Sequence, residues 1–159
     1  MNNLLNPLIT FLASFWLWVM YLGLIFMGLT KKWLKIEQIL HSFVVSFAAW
    51  GIARMIKDLF PSSLRPFQIN GLPPLTLTTP FDGTFPSGHS AAAFGLAVAV
   101  FLYHKKIGVL YLLGAVIVCL GRIWGNVHYP IDVLGGTVLG TFVALISENI
   151  RFGKLLRNP

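Results

Sequence analysis

Long apolar runs separated by short polar links dominate this chain. A membrane-spanning helix needs about 20 predominantly apolar residues, and five runs come close to that length. The pattern predicts five transmembrane helices, at Leu8–Leu29, Ile36–Ile56, Ser87–Tyr103, Ile107–Ile123 and Ile131–Ile146. The predicted fold is therefore all-α: a polytopic membrane helix bundle in which residues 1–159 form a single domain.

The composition supports the membrane interpretation. Of the 159 residues, 56% are hydrophobic and only 11% are charged, and the mean hydropathy is +0.76. A soluble domain of this size would carry roughly a quarter charged residues, so a soluble class is excluded. The formal net charge of +7 matters less than where the charges lie, and we expect membrane lipids rather than nucleic acid as partners.

The basic residues predict the orientation. Lys and Arg accumulate in the cytoplasmic loops of membrane proteins, and five spans place three basic segments on the same side. We therefore expect a multi-pass protein of the bacterial plasma membrane whose C-terminus is cytoplasmic. These segments are Lys31, Lys32 and Lys35, then His104-Lys105-Lys106, then Arg151, Lys154 and Arg157.

Four cations fall on the opposite side, against this bias: Arg54, Lys57, Arg65 and Arg122. Arg54 lies near the end of the second span, and two connections carry the other three to the outer membrane interface, a long one over residues 57–86 and a short one over residues 121–130. Cations on the outer face need a reason, and a bound anion supplies one. The sequence thus predicts a site on the periplasmic or extracellular face, with residues 57–132 as its core.

The segment Phe85-Pro86-Ser87-Gly88-His89-Ser90 lies where the long polar connection gives way to an apolar run. The Ser87 hydroxyl can cap a helix that begins there, and Gly88 lets the backbone approach a ligand closely. The free N–H groups and the positive dipole end of such a helix form an anion site. His89 would lie over the bound anion.

The second connection supplies a complementary pair. His128 and Asp132 are four residues apart, and Pro130 favours the first turn of a helix. On such a helix the Asp132 carboxylate can accept from one imidazole nitrogen, leaving the other free to attack phosphorus. His89 then serves as general acid.

The cations complete the predicted phosphate site. Arg65 can form two parallel hydrogen bonds to phosphate oxygens, and Lys57 adds a point charge. Arg122 arrives from the second connection and would clamp the anion from another side. Each feature also has a plainer explanation: a simple helix cap for Ser87, snorkelling for Arg122, a helix-dipole charge for Asp132. Arg54 could either line the site or anchor the helix at the interface.

Other polar and small residues are predicted to be structural. His41 and His104 fit the role of polar anchors at a membrane interface. The spacing Gly136-x-x-x-Gly140 is typical of close helix packing in lipid.

These motifs together resemble the type 2 phosphatidic acid phosphatase superfamily, which is related to the vanadium haloperoxidases and bacterial acid phosphatases. Its three elements stand here as Lys57 with Arg65-Pro66, as Pro86-Ser87-Gly88-His89, and as Arg122-x5-His128-x3-Asp132. The resemblance covers about half the chain. Two departures occur: the gap from Lys57 to Arg65 is one residue longer than the usual six, and Gly121 replaces the family's serine. Membrane members usually have six spans.

The resemblance implies a metal-independent mechanism without a cofactor. His128 would attack the terminal phosphorus to form a phosphohistidine, Asp132 would orient it, and His89 would protonate the leaving group. The phosphate would be bound by Lys57, Arg65, Ser87, Gly88 and Arg122.

The expected function is a membrane lipid phosphatase. The substrate would be a lipid phosphate or diphosphate, with undecaprenyl diphosphate first and phosphatidylglycerol phosphate, phosphatidic acid or a lipid A phosphate as alternatives. A lipid phosphotransferase on the same scaffold is equally compatible with the motifs. A non-catalytic lipid-binding or transport protein, or a zinc site built from His89, His128 and Asp132, are the other readings.

Overall fold

Seven helices follow one another along the chain in the computed structural model, which describes residues 5–30, 33–59 and 63–149; no strand occurs in these ranges. The basic residues predicted at 31, 32, 151, 154 and 157 lie outside the described residues. The helices are α1 (Leu5–Ser14), α2 (Trp16–Thr30), α3 (Ile36–Leu59), α4 (Pro66–Asn70), α5 (Gly88–Tyr103), α6 (Lys105–Trp124) and α7 (Pro130–Asn149).

The predicted helical membrane bundle is confirmed, although its span count is approximate. Among the described helices, α3, α6 and α7 are each long and apolar enough to cross a membrane. The first predicted span is broken at Phe15 into α1 and α2, which meet at an angle of 55° and qualify only as a bent pair. The third, α5, is apolar but has only 16 residues.

Helix α5 lies at the centre, with α3, α6 and α7 packed around it. Its buried face is built mostly from alanine and glycine, so its neighbours approach closely. A Cβ added at Gly136 of α7 would collide with the Ser87 carbonyl oxygen, and one at Gly140 with the Ala91 carbonyl oxygen. The packing role predicted for this glycine pair is therefore confirmed.

The central helix is also shorter than the helix that follows it. His104 both ends α5 and caps the start of α6, so the two helices begin their antiparallel course at the same level. Helix α5 has 16 residues and α6 has 20, and four residues correspond to about 6 Å of helix. The first turn of α5 is thus recessed below the far end of α6.

The polar links predicted on the side away from the site do share one end of the bundle. The ring of Trp33, just before α3, lies 5.8 Å from the ring of His104. At the same end, His41 Nδ1 and Tyr103 Oη are 2.9 Å apart. The His104 ring accepts from the Ile107 N–H, so both histidines serve the packing of helix ends there.

Candidate active site

The two outer connections, far apart in sequence, meet at the recessed end of α5. In the long connection, the Phe67 N–H donates to the Asn126 carbonyl at 3.2 Å and the Leu75 N–H donates to the Gly125 carbonyl at 2.9 Å. The side-chain amides of Asn70 and Asn126 also pair, at 2.8 Å. The long connection, which includes the short helix α4, is therefore fastened across the α6–α7 connection.

This arrangement borders an open cavity of about 590 Å³. It is lined by six of the eight residues predicted for the site, and also by Arg54. The other two, Ser87 and Asp132, are buried immediately behind the lining. The six lining residues are Lys57, Arg65, Gly88, His89, Arg122 and His128.

His128 and Asp132 form the predicted pair. His128 Nδ1 lies 3.4 Å from Asp132 Oδ2, and the same carboxylate oxygen accepts from the Tyr129 N–H at 2.8 Å. The carboxylate is thus held at the start of α7 and favours the tautomer with its proton on Nδ1. His128 Nε2 then carries the lone pair and faces Arg65 Nη1 at 3.4 Å.

The electrostatic surroundings keep this imidazole uncharged. His128 is only 2% exposed, and burial, reinforced by the positive charges of Arg122 and Arg65, lowers its pKa well below the usual range. A neutral ring is the form that can act as a nucleophile. His128 is therefore in the protonation state that the predicted nucleophilic role requires.

The start of α5 matches the predicted cap, with one difference. Ser87 is the N-cap, and its hydroxyl accepts from the Ser90 N–H and the Ser90 hydroxyl, at 3.4 and 3.0 Å. However, the Ser87 N–H donates to the Asp132 carbonyl at 2.9 Å. This backbone donor is therefore occupied within the protein and does not face a bound phosphate. Ser87 fixes α5 against α7, and it is Gly88 and His89 that border the cavity.

Arg65 is 1% exposed and is more fully engaged than the sequence suggested. Its Nε donates to the Asp82 carbonyl at 3.1 Å, and its Nη2 donates to the Gly83 carbonyl at 3.0 Å and to Asp82 Oδ1 at 2.7 Å. Its Nη1 donates to the Val127 carbonyl at 2.7 Å. The guanidinium thus joins both connections, and the Arg65 side chain lines the cavity.

Asp82 is a site residue that the sequence analysis missed. Its carboxylate bridges the two cations of the first motif, with Lys57 Nζ at 3.2 Å and Arg65 Nη2 at 2.7 Å. Partial burial opposes ionisation, yet the charges of Lys57 and Arg65 prevail and lower the pKa of Asp82. The chain has only five acidic residues. Because Asp82 is one of them and lies between two motifs, the sequence alone could have identified it as a candidate site residue.

The break between α1 and α2 supplies a further wall of the cavity. Arg122 Nη1 donates to the Ala13 carbonyl at 2.8 Å, and the Leu77 N–H donates to Ser14 Oγ at 3.0 Å. Arg122 Nε is buried and has no hydrogen-bond partner within the described residues. The carbonyl at the end of α1 therefore holds one nitrogen of Arg122, whose side chain also lines the cavity.

Gly121 allows this contact, and its replacement is expected to be costly. A Cβ there would lie 2.8–2.9 Å from the backbone of Leu12 and Ala13, so α1 would have to move. We expect Gly121→Ala and Gly121→Ser each to lower the free energy of unfolding by about 1–3 kcal/mol. Thermal unfolding of the purified protein in detergent measures this.

Gly51 provides a matched control for that prediction. A Cβ added at Gly51 meets no atom within 4 Å, so Gly51→Ala adds the same methyl group in open space. Its unfolding temperature is expected to stay at or above that of the unaltered protein, because alanine favours the helix. Equal unfolding temperatures for Gly121→Ser and the unaltered protein would contradict the close packing of α1 on α6.

The zinc alternative has no geometric support. Within the described ranges, no three His, Cys, Asp or Glu side chains come together in a way that would hold a metal ion. The cavity is instead lined by four cationic side chains and by the carboxylate of Asp82, which is paired with two of them.

Comparisons with known proteins find related sequences and a related fold. A family model described as the PAP2 superfamily matches residues 20–154. The Bacillus licheniformis protein named bacitracin transport permease protein BcrC is 34% identical over 147 residues, covering 90% of this chain and 70% of that protein. An undecaprenyl-diphosphatase of Sulfolobus acidocaldarius is 27% identical over 92% of this chain and 70% of its own length. The crystal structure of Aquifex aeolicus LpxE superposes with a TM-score of 0.74 at 25% identity, covering 94% of this chain and 88% of LpxE.

Proposed function

Since this chain belongs to the PAP2 superfamily, we propose that it is a membrane phosphatase whose substrate is a lipid diphosphate, with undecaprenyl diphosphate as the first choice. One observation carries the proposal. His128 has its Nδ1 towards a buried carboxylate and its Nε2 towards a cavity lined by three further motif residues with positive charge. A binding or transport protein has no need of such an oriented, neutral imidazole.

The mechanism follows from this geometry. The His128 Nε2 lone pair attacks the terminal phosphorus, and the bond between that phosphorus and the leaving oxygen breaks. The electron pair of that bond stays on the leaving oxygen, which His89 protonates. A water molecule then gives a proton to the deprotonated His89 and attacks the phosphohistidine, the P–N bond returns its electron pair to His128, and inorganic phosphate is released. Asp132 stabilises the imidazolium while the phosphoryl group is attached.

The cations stabilise the charge that spreads over the three equatorial oxygens. Lys57 acts from the last turn of α3, Arg65 from the long connection and Arg122 from the end of α6. The Gly88 N–H, at the first turn of α5, contributes a backbone donor at the positive end of the helix dipole. These groups fill the role that metal ions have in many phosphatases, so we expect activity to persist in the presence of a chelator.

We further propose that the site faces the periplasm or the extracellular space and that the C-terminus is cytoplasmic. The basic links at Lys35 and Lys105–Lys106 lie at the end of the bundle away from the cavity, and Lys and Arg favour the cytoplasmic side. The name of the Sulfolobus relative, an undecaprenyl-diphosphatase, supports a polyprenyl diphosphate as substrate.

A phosphate-release assay on the purified protein tests the proposal. The panel contains undecaprenyl diphosphate, phosphatidylglycerol phosphate, phosphatidic acid and a lipid A 1-phosphate, each in mixed detergent micelles containing EDTA. We expect release from undecaprenyl diphosphate to have the highest kcat/KM. Failure to release phosphate from any of the four would refute the phosphatase assignment.

The same assay with labelled substrate separates hydrolysis from transfer. A hydrolase releases the label as inorganic phosphate, whereas a phosphotransferase places it on an acceptor lipid supplied in the micelle. We expect free phosphate, and accumulation of label on the acceptor alone would overturn the hydrolase assignment while leaving the phosphohistidine step in place.

A further inference from the structure

One cation at the cavity has no role in the mechanism described so far. Arg54 lines the same cavity as Lys57 and His89. It forms no salt bridge or hydrogen bond with any residue in the described part of the chain. Its guanidinium carbon lies 5.8 Å from the centroid of the Trp50 ring, one turn earlier on α3. A cation inside a spanning helix is expensive and usually functional.

Trp50 connects Arg54 to the phosphate end of the site. A Cβ added at Gly88 would lie only 3.2 Å from Trp50 Cδ1 and 3.4 Å from Trp50 Nε1. The indole is therefore packed directly against the first residue of α5, and the guanidinium is stacked beyond it. A small recess next to the main cavity is lined by the same group: Trp50, Arg54, Lys57, Asp82 and Gly88.

The position of Arg54 along α3 places it on the side from which a lipid chain arrives. Arg54 precedes Lys57 by three residues, which is about 4.5 Å along the helix axis. Helix α3 ends at the site, so Arg54 lies deeper in the membrane than Lys57. Lys57 is engaged by the Asp82 carboxylate, whereas the Arg54 charge is not offset in this way.

We propose that Arg54, stacked on Trp50, binds the leaving phosphate of a lipid diphosphate and favours diphosphates over monophosphates. This inference rests on the proposed function. When the bond from the terminal phosphorus to the bridging oxygen breaks, the electron pair goes to that oxygen and His89 protonates it. The departing group is then a lipid monophosphate with its own anionic oxygens. A lipid monophosphate substrate instead releases an uncharged alcohol, for which a deeper cation offers no comparable benefit.

Paired short-chain substrates test the inference. Farnesyl diphosphate and farnesyl monophosphate differ only in the leaving phosphate, and kcat and KM are measured for both. We expect Arg54→Gln to lower the ratio of kcat/KM for diphosphate over monophosphate about tenfold, the value of roughly one charge-assisted hydrogen bond. Arg54→Lys retains the charge and should recover part of that ratio.

A matched control removes one positive charge at the other end of the bundle. Lys106→Gln has the same change in net charge, and the substrate ratio should remain that of the unaltered protein. Trp50→Leu, which removes the stacked ring, should lower the ratio in the same direction as Arg54→Gln. Thermal unfolding of each variant shows whether the fold is retained.

The outcomes separate this inference from the proposed function. An equal loss with both substrates in Arg54→Gln, or no loss with either, would overturn the leaving-phosphate role and leave the phosphatase assignment intact. Hydrolysis of the monophosphate but not the diphosphate by the unaltered protein would overturn the proposed substrate class itself.

Discussion

Replacement of His128 by alanine is expected to abolish turnover, with a loss of more than about 10³-fold in kcat and retention of the fold. Among the described residues that line the cavity, His128 is the one whose Nδ1 faces a carboxylate while its Nε2 faces Arg65. The measurement is phosphate release from undecaprenyl diphosphate. Trapping of labelled protein adds a direct readout, since an acid-labile phosphoenzyme should form in the unaltered protein and be absent from His128→Ala.

His41 supplies the control for this experiment. It is a histidine at the opposite end of the bundle, where it pairs with Tyr103, and it borders no part of the cavity. His41→Ala should therefore retain activity and still form the labelled phosphoenzyme. Activity of His128→Ala close to that of the unaltered protein would refute the nucleophile assignment.

The second large effect is expected at Arg65, where lysine should be almost as damaging as alanine. We expect both variants to lose about 10²–10³-fold in kcat/KM. The donors of a lysine ammonium group all lie on one nitrogen atom. They cannot reach the backbone carbonyls of both outer connections, to which the planar guanidinium of Arg65 donates. The carbonyls of Val127 and Gly83 would lose their charged donor, so the unfolding temperature should fall as well.

The comparison between the two Arg65 variants decides what the residue does. If charge alone mattered, Arg65→Lys would retain most of the activity and Arg65→Ala would not. Arg65→Lys with more than about a tenth of the original activity would show that the fastening of the two connections is dispensable. Arg122→Ala is a useful reference, because its loss removes a cation that is held by α1 and not by the connections.

The sequence predicted the fold well where one physical requirement dominates. In the hydrocarbon core of a bilayer, a spanning segment must be apolar and must satisfy its own backbone hydrogen bonds, as a helix does. Helices occur at each of the five predicted places. The break at Phe15 was missed because no proline or glycine marks it. It is associated with contacts that are remote in sequence, from Arg122 to Ala13 and from Leu77 to Ser14, and local hydrophobicity does not record such contacts.

The site could be predicted in outline but not in detail. The motifs bring together residues whose chemistry is evident from their type, and six of the eight named residues line one cavity. Their partners could not be deduced, because hydrogen bonds of Arg65 to backbone carbonyls depend on how two loops fold across each other. The same reason explains Asp82, whose position between two cations becomes evident only when the long connection is closed.

Gly121 shows how a departure from a family motif can be explained by packing. From sequence alone, the missing serine hydroxyl meant one phosphate donor fewer. The structure shows that the backbone of α1 lies where the serine side chain would stand. Because α1 packs this closely, the Ala13 carbonyl accepts a hydrogen bond from Arg122. Glycine in place of serine therefore removes a hydroxyl but allows a contact that orients the Arg122 guanidinium.

The shortness of α5 has a consequence for how the enzyme meets its substrate. Its first turn, with Gly88 and His89, lies about one helical turn below the end of α6, so we expect the headgroup to descend to these residues while the hydrocarbon tail stays in the bilayer. Withdrawing a lipid chain into water costs about 0.8 kcal/mol for each methylene. A recessed reaction centre avoids that extraction, so very long, insoluble isoprenoid chains can be processed without leaving the membrane.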